Sequence, residues 1–315
     1  MKLIQWTVFV DMLGFGEINK KIKDQESANK FINFMKSNEE LFTRPQTNLR
    51  ESYEQHGRSG GFNVYDYYDF DFTFISDSFV ISFSPKEVPE IRENLFYQHS
   101  ANCLFIISMR LSTFIVNCQK EYGIFLRGGI SDKFSKISAS FAVGEGVIDA
   151  YRVESVVAKY PRIALSESIV ENRKLMERLN FIADQMYSGF RIIKQDVDSV
   201  YYLDYLGHQG TFIDQNNDMG RRNIIDQDLA QLQVSFKNYY FMYKTHRDEI
   251  VKCIESVVER IEKSSDPKVL QKLHNVLDKY RWLTKYHNHS LETLNKFENL
   301  LIDETILEIS SSTPA

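Results

Sequence analysis

Apolar positions alternate with polar ones over short runs in the first part of this chain, and recur at helical spacing in the last part. Residues 3–11 are rich in β-branched and aromatic side chains and end in a glycine-containing turn, which predicts a strand. Residues 16–36 bring Ile22, Ala28, Phe31 and Met35 near helical spacing and predict a helix. Residues 37–62 are polar, with Pro45 and the run Gly57-Arg-Ser-Gly60-Gly61, and read as a loop or an insertion. Over 63–83 the alternation Phe70, Phe72, Phe74 and then Phe79, Ile81, Phe83 predicts a hairpin turning near Ser76-Asp77-Ser78. Pro89 is placed to open a long helix reaching about Tyr122, because proline suits the first helical turn. Residues 124–131 predict a strand. Gly144 opens a helix with Val147, Tyr151 and Val156 on one side, and 162–166 and 198–206 predict two more strands.

The order β-α-β-β-α-β-α-β predicts an α+β fold: a ferredoxin-like, antiparallel-rich sheet with helices on one side. From about residue 225 the pattern is helical, with Ile250, Ile254, Val257, Val258 and Ile261 on one stripe. After a break at Ser264-Ser265, Asp266 and Pro267 supply a helix cap and a first-turn proline. Leu270, Leu273, Leu277 and Tyr280 form the next stripe. The expected organisation is a sheet-bearing domain over 1–210, with 37–62 as its loop or insertion, and a helical extension over 222–308. That extension reads as a helical hairpin packed on the first domain or on a second subunit. The terminal Ser-Ser-Ser-Thr-Pro-Ala run reads as disordered.

Composition narrows the function classes. The 315 residues are 43% apolar and 13% aromatic, enough for a substantial core, and the net charge of −5 argues against a protein that coats nucleic acid. Cys103, Cys118 and Cys253 lie far apart with neither metal nor disulfide spacing, which favours a reducing cytoplasm. No signal peptide is expected. The most apolar window, Cys103 to Val116, is short for a membrane span and contains Arg110, so it reads as a buried core helix.

Two aspartates occupy matching surroundings. Asp11 closes the apolar run Thr7-Val-Phe-Val and precedes Met-Leu-Gly14-Phe-Gly16; Asp77 closes Phe70-Asp-Phe-Thr-Phe-Ile-Ser and precedes Ser-Phe-Val-Ile. If their strands are neighbours, the carboxylates converge and repel one another unless a cation with oxygen ligands lies between them. That points to phosphate chemistry. Each residue also has a plainer reading, Asp11 as a strand-end cap among them.

Three segments together resemble the class III nucleotide cyclase domain: Phe9-Val-Asp11-Met-Leu-Gly-Phe15; Ile75-Ser-Asp77-Ser-Phe-Val; and Leu126-Arg-Gly-Gly-Ile130 leading to Gly144-Glu-Gly-Val-Ile-Asp-Ala-Tyr-Arg152-Val-Glu-Ser155. They come in the family's order, and the resemblance covers about residues 1–206. It implies that Asp11 and Asp77, with the backbone carbonyl of Met12, hold two divalent ions (Mn²⁺ or Mg²⁺) on a nucleoside triphosphate. It implies that Leu13, Gly14 and Phe15 cradle the phosphates and that Arg152 reaches the transition state from a partner subunit, in a homodimer with shared active sites. Arg127 contacts base or phosphate on this reading, or else pairs with a core acid. Arg152 likewise has a plain alternative, an ion pair with Glu154 or Glu145. Lys194 lies near a phosphate-binding lysine of the family in a loose register and is expected to be a surface lysine. Tyr286-His287-Asn288-His289 looks like a metal motif, but histidines two apart on a helix point to different faces, so structural roles are expected. The cluster Tyr65 to Asp69 belongs to a strand edge or to a pocket rim.

Departures sharpen the resemblance. Where adenylate-type cyclases carry a lysine four residues before the second aspartate, this chain has Thr73. Where they carry an acid three residues before the glycine, it has Phe141; where they carry an asparagine four residues before the arginine, it has Ile148. The chain is therefore inactive or reads another base. It is most similar to the bacterial pyrimidine cyclases of Pycsar antiphage systems. That similarity implies synthesis of cyclic UMP or cyclic CMP and a separate cyclic-nucleotide effector; UTP is the expected substrate ahead of CTP, with no stable nucleic acid or membrane partner. The competing expectations are a catalytically degenerate cyclase-like module and a polymerase-like palm domain.

Overall fold

The computed structural model describes residues 2–43, 63–87, 92–138, 141–225 and 227–307. Pro45, the Gly57–Gly61 run, Pro89 and the terminal Ser-Thr-Pro-Ala stretch lie outside the described residues. In chain order the elements are β1 (Trp6–Leu13), α1 (Phe15–Asn19), α2 (Gln25–Thr43), α3 (Val64–Tyr67), β2 (Tyr68–Ile75), β3 (Ser78–Pro85), α4 (Glu93–Tyr122), β4 (Phe125–Ser131), β5 (Lys136–Ser138), β6 (Phe141–Val143) and α5 (Glu145–Arg152). A π-helical turn, Val153–Ala158, prolongs α5. Then come β7 (Ile163–Leu165), α6 (Glu167–Glu171), α7 (Arg173–Met186), β8 (Ile193–Gln195), β9 (Tyr201–Leu203), α8 (Tyr205–Gly210), α9 (Asp218–Ile225), α10 (Leu229–Glu262) and α11 (Pro267–Leu294).

The fold is mixed α+β. Seven strands form one sheet in the order β2-β3-β1-β4-β7-β9-β8, and every pairing is antiparallel except β4 with β7. The first four strands, with helical crossings between β1 and β2 and between β3 and β4, have the split β-α-β connectivity. Alternation along β1 sorts its side chains. Val8, Val10 and Met12 enter the main core, where Phe79 of β3 meets Phe114 of α4 at 5.0 Å. Phe9, Asp11 and Leu13 face the opposite side.

Helices cover both faces, not one as the element order predicts. On the Phe9 face, Tyr151 of α5 meets the Phe9 ring edge-on at 5.3 Å. The close approach of α5 requires Gly129, paired with Phe9, because a Cβ there would lie 2.2 Å from the Ala150 carbonyl oxygen. The predicted helix over 16–36 is two helices. Asp24 turns the chain between them, accepting from the Ser27 amide at 2.8 Å, and α2 runs on to Thr43 into the segment read as a loop. The β2–β3 hairpin turns as expected, through Ser76 at φ 58°, a left-handed conformation that costs a non-glycine residue about 1 kcal/mol.

The apolar window around Arg110 belongs to the 30-residue α4, long and apolar enough by composition to cross a membrane. Within the fold, 78% of its most apolar stretch is buried. Arg110 donates to the Phe42 carbonyl at 2.8 Å and lies over the Tyr65 ring, while Tyr68 donates to the Ile4 carbonyl at 3.0 Å. The tyrosines of the Tyr65–Asp69 cluster are thus built into the packing of this edge, while Asp66 and Asp69 are exposed.

The predicted helical hairpin is α10 and α11. Asp266 caps α11, accepting from the Lys268 amide, with Pro267 at its first position. The hairpin packs on the sheet domain. Tyr286 donates to Asp204 at 2.8 Å and accepts from the Leu206 amide at 2.8 Å, and Tyr243 donates to the Leu206 carbonyl at 3.0 Å.

Candidate functional site

The pairing of β1 with β3 and β4 sets Asp11 opposite Ser78 on one side and Arg127 on the other. Asp77 occupies the hairpin turn just before Ser78, and its carbonyl accepts from the Met12 amide at 2.9 Å. The two aspartates that sequence pairing singled out therefore meet at one end of adjacent strands. Asp11 is half-buried and Asp77 exposed. Burial raises the Asp11 carboxyl above its usual range; Arg127 opposes this, the Asp77 charge adds to it, and Lys279 opposes it.

Arg127 sits between two acids. Its guanidinium lies 3.5 Å from Asp11 Oδ2 and is hydrogen-bonded through Nε to Glu154, a closer ion pair. The pairing with a core acid is the outcome reached here. Glu154 is buried, delivered by the π-helical turn after α5, and burial raises its carboxyl while Arg127 opposes the rise. Motif reading treated Glu154 only as an ion-pair partner for Arg152. That partner is instead Asp149, at 2.9 Å, a largely buried acid that also accepts from the Ser131 hydroxyl of β4.

The remaining predicted residues separate. Arg152 lies outward, its side chain 56% exposed, and does not join Asp11 within one chain. Leu13 packs toward α10 and α11, and Gly14 takes φ 84° at the head of α1. That helix is a single five-residue turn, with Phe15 buried beneath it. Thr73 is buried on β2 opposite Val80. Phe141, which stands where adenylate-type cyclases carry an acid, is 70% exposed on β6 and fills no pocket within one chain. Lys194 is not a free surface lysine: it pairs with buried Asp204 at 2.6 Å. His287 is buried and His289 exposed, as the spacing predicts.

Lys279 of α11 is a site residue that sequence reading missed. It is half-buried, and burial lowers its ammonium, opposed by Asp11 and Glu154. Its only signal in the sequence is a polar position three residues before Trp282 on the apolar side of a helix.

Among the described residues no group of three or more His, Cys, Asp or Glu side chains is placed to hold a metal. The donor set present is the oxygen set of Asp11, Asp77 and nearby carbonyls. Such a pair suits a hard divalent ion that takes its other ligands from phosphates and water. Compared with protein families and with curated proteins, the sequence matches none.

Proposed function

We propose that this protein is a nucleotide cyclase that converts a pyrimidine nucleoside triphosphate, UTP before CTP, to the 3′,5′-cyclic monophosphate and pyrophosphate. The observation that carries this reading is the convergence of Asp11 and Asp77 at one end of β1 and β3, beside Arg127. The split β-α-β order of the first four strands is the framework that a class III cyclase domain requires. The substrate's 3′-hydroxyl would attack the α-phosphorus, lose its proton to solvent, and expel pyrophosphate. Asp11, Asp77 and the Met12 carbonyl would hold two Mn²⁺ or Mg²⁺ ions, which supply Lewis-acid activation of that hydroxyl and neutralise phosphate charge. Arg127, fixed by Glu154, orients the Asp11 carboxylate.

Arg152 supports a homodimer with shared sites on this reading. Arg152 and Glu154 are two residues apart and fall on opposite sides of the helical turn, so the turn that sends Glu154 inward sends Arg152 outward. It stands among exposed apolar side chains: Ile148, Tyr151 and Val156, with Phe141 and Val143 on the neighbouring hairpin. A second copy covering them would receive Arg152 and could bring Phe141 against a base. By its resemblance to the Pycsar enzymes, the product would act in the cytoplasm as an antiphage messenger read by a separate effector.

Purified protein with Mn²⁺ and each nucleoside triphosphate tests this by mass spectrometry of the products. A cyclic pyrimidine monophosphate is expected, and it should be abolished by Asp11→Asn, Asp77→Asn or Arg152→Ala. No cyclic product from any of the four nucleotides, with either metal and with phage extract added, would refute it. The Arg152–Asp149 ion pair favours one second reading, a cyclase-like module that binds nucleotide without turnover. It predicts binding that survives Arg152→Ala and yields no product.

A further inference from the structure

The helical extension crosses the site end of the sheet. Tyr280 of α11 meets Phe125, the first residue of β4, edge-on at 6.3 Å, and Leu13, two residues after Asp11, packs in the same apolar cluster. On the other side Trp282 donates to Asp196 at 2.6 Å and stacks on Tyr160, just beyond the π-helical turn that carries Glu154. Lys279 immediately precedes these two fixed residues, and around the helix its side chain falls between theirs. Lys279, Trp282 and Tyr286 share the stripe that faces the sheet. Among the described residues Lys279 makes no ion pair within 4 Å, although the charges of Asp11, Glu154 and Arg127 all act on it.

Charge arithmetic shows what this lysine suits. Asp11, Asp77 and Glu154 contribute three negative charges, and Arg127 and Lys279 two positive. The site is thus near neutrality before any metal enters. One divalent ion would make it positive, and two strongly so. A polyphosphate carrying three or four negative charges restores the balance. A cation held half-desolvated and without a close partner is suited to a phosphate oxygen arriving with its metal, since charge-assisted hydrogen bonds are the strong ones.

We infer that Lys279 is a polyphosphate-binding residue, so that the C-terminal hairpin is part of the active site and metal and polyphosphate bind as a coupled pair. This rests on the reading of Asp11 and Asp77 as the metal carboxylates.

Isothermal titration of the full chain with inorganic tripolyphosphate, with and without Mn²⁺, tests it. The wild type is expected to bind tripolyphosphate with Mn²⁺ and to bind Mn²⁺ alone weakly. Lys279→Gln, which keeps most of the stem, should weaken Mn²⁺–tripolyphosphate binding about tenfold or more, as loss of one charge-assisted contact implies. Lys279→Arg should recover most of it, and Lys285→Ala, on the exposed side of α11, should change nothing. Circular dichroism on each variant confirms the fold. Unchanged polyphosphate binding in Lys279→Gln overturns the inference. So does tighter Mn²⁺ binding in that variant with no loss of polyphosphate, which would make Lys279 a tethered counter-ion. If Asp11→Asn also leaves Mn²⁺–tripolyphosphate binding unchanged, or the wild type binds none, the metal reading of the aspartates fails with it.

Discussion

At the scale of single residues, the pair of Arg127 and Glu154 decides how Asp11 is held. Glu154 is among the most buried acids of the described residues, and Arg127 is its neutralising partner. Removing one member of such a pair strands the other without compensation, which costs about 3–5 kcal/mol. Arg127→Met should therefore lower the urea midpoint sharply. Arg127→Met with Glu154→Leu should regain much of that stability, because a well-packed apolar replacement avoids the desolvation cost. The double variant should still fail to turn over nucleotide, since Asp11 has lost its neighbour. Equal midpoints for wild type and Arg127→Met would show that the pair carries no such weight. The sequence disclosed Asp11 and Asp77 because strand ends are local and a carboxylate after an apolar run is conspicuous. It hid Glu154 and Lys279. What makes them matter is the π-helical turn in one case and the docking of a distant helix in the other, and neither leaves a periodicity to read.

At the scale of elements, most of the long segments were legible, the 14-residue α7 being the exception. The β2–β3 hairpin, α4 and the α10–α11 hairpin all declare themselves through many repeats of one period. Strands β5 to β9 are three residues each, too short to show alternation; β7 and β9 fall within expected strands, β5, β6 and β8 do not, and the break between α1 and α2 rests on one aspartate–serine cap. Where α10 meets α11, two histidines stack at 5.1 Å under full burial. Their partners fix the protons. Leu300's carbonyl can only accept, at 3.0 Å, so His287 Nε2 carries hydrogen and its Nδ1 is a lone pair. His246 must then donate through Nδ1 at 3.1 Å and accept from the Tyr205 hydroxyl at 2.8 Å through Nε2. A proton added to His287 would set N–H against N–H, and one added to His246 would force the Tyr205 hydroxyl to turn from donor to acceptor. Burial accordingly holds His246 well below the usual histidine range and His287 at about 4, and His208 is likewise held at about 4. Depressed histidine values mean that the unfolded chain binds these protons first. Stability is complete above about pH 6.5 and should fall as pH drops toward 4, by up to about 1.4 kcal/mol per pH unit for each histidine. Urea midpoints at pH 7.5, 6.5 and 5.5, above the ordinary carboxylate range, should decline in that order. A flat series would mean that these rings titrate normally.

At the scale of the whole molecule, the exposed apolar patch and the outward Arg152 pose one question: whether a site is completed within a chain or between chains. Large hydrophobic side chains scattered singly over a surface need no explanation, but Phe141, Val143, Ile148, Tyr151 and Val156 come from consecutive elements. A two-fold interface uses the same patch on both copies, so each copy would lend its arginine to the other. Two variants that are inactive for different reasons separate the possibilities. Asp11→Asn spoils the carboxylate half of a site, and Arg152→Ala spoils the arginine half. In a mixture that exchanges subunits, about half of the dimers are mixed, and each mixed dimer has one site with both halves intact, which restores about a quarter of wild-type turnover. Arginines acting within their own chain would leave every site in the mixture defective, and turnover would stay at the level of the separate variants. Ile148→Asp, placed at the centre of the patch, should give a monomer in sedimentation velocity and the same loss of turnover. If the wild type sediments as a monomer while making product, the shared-site arrangement is excluded and Arg152 returns to its ion pair with Asp149.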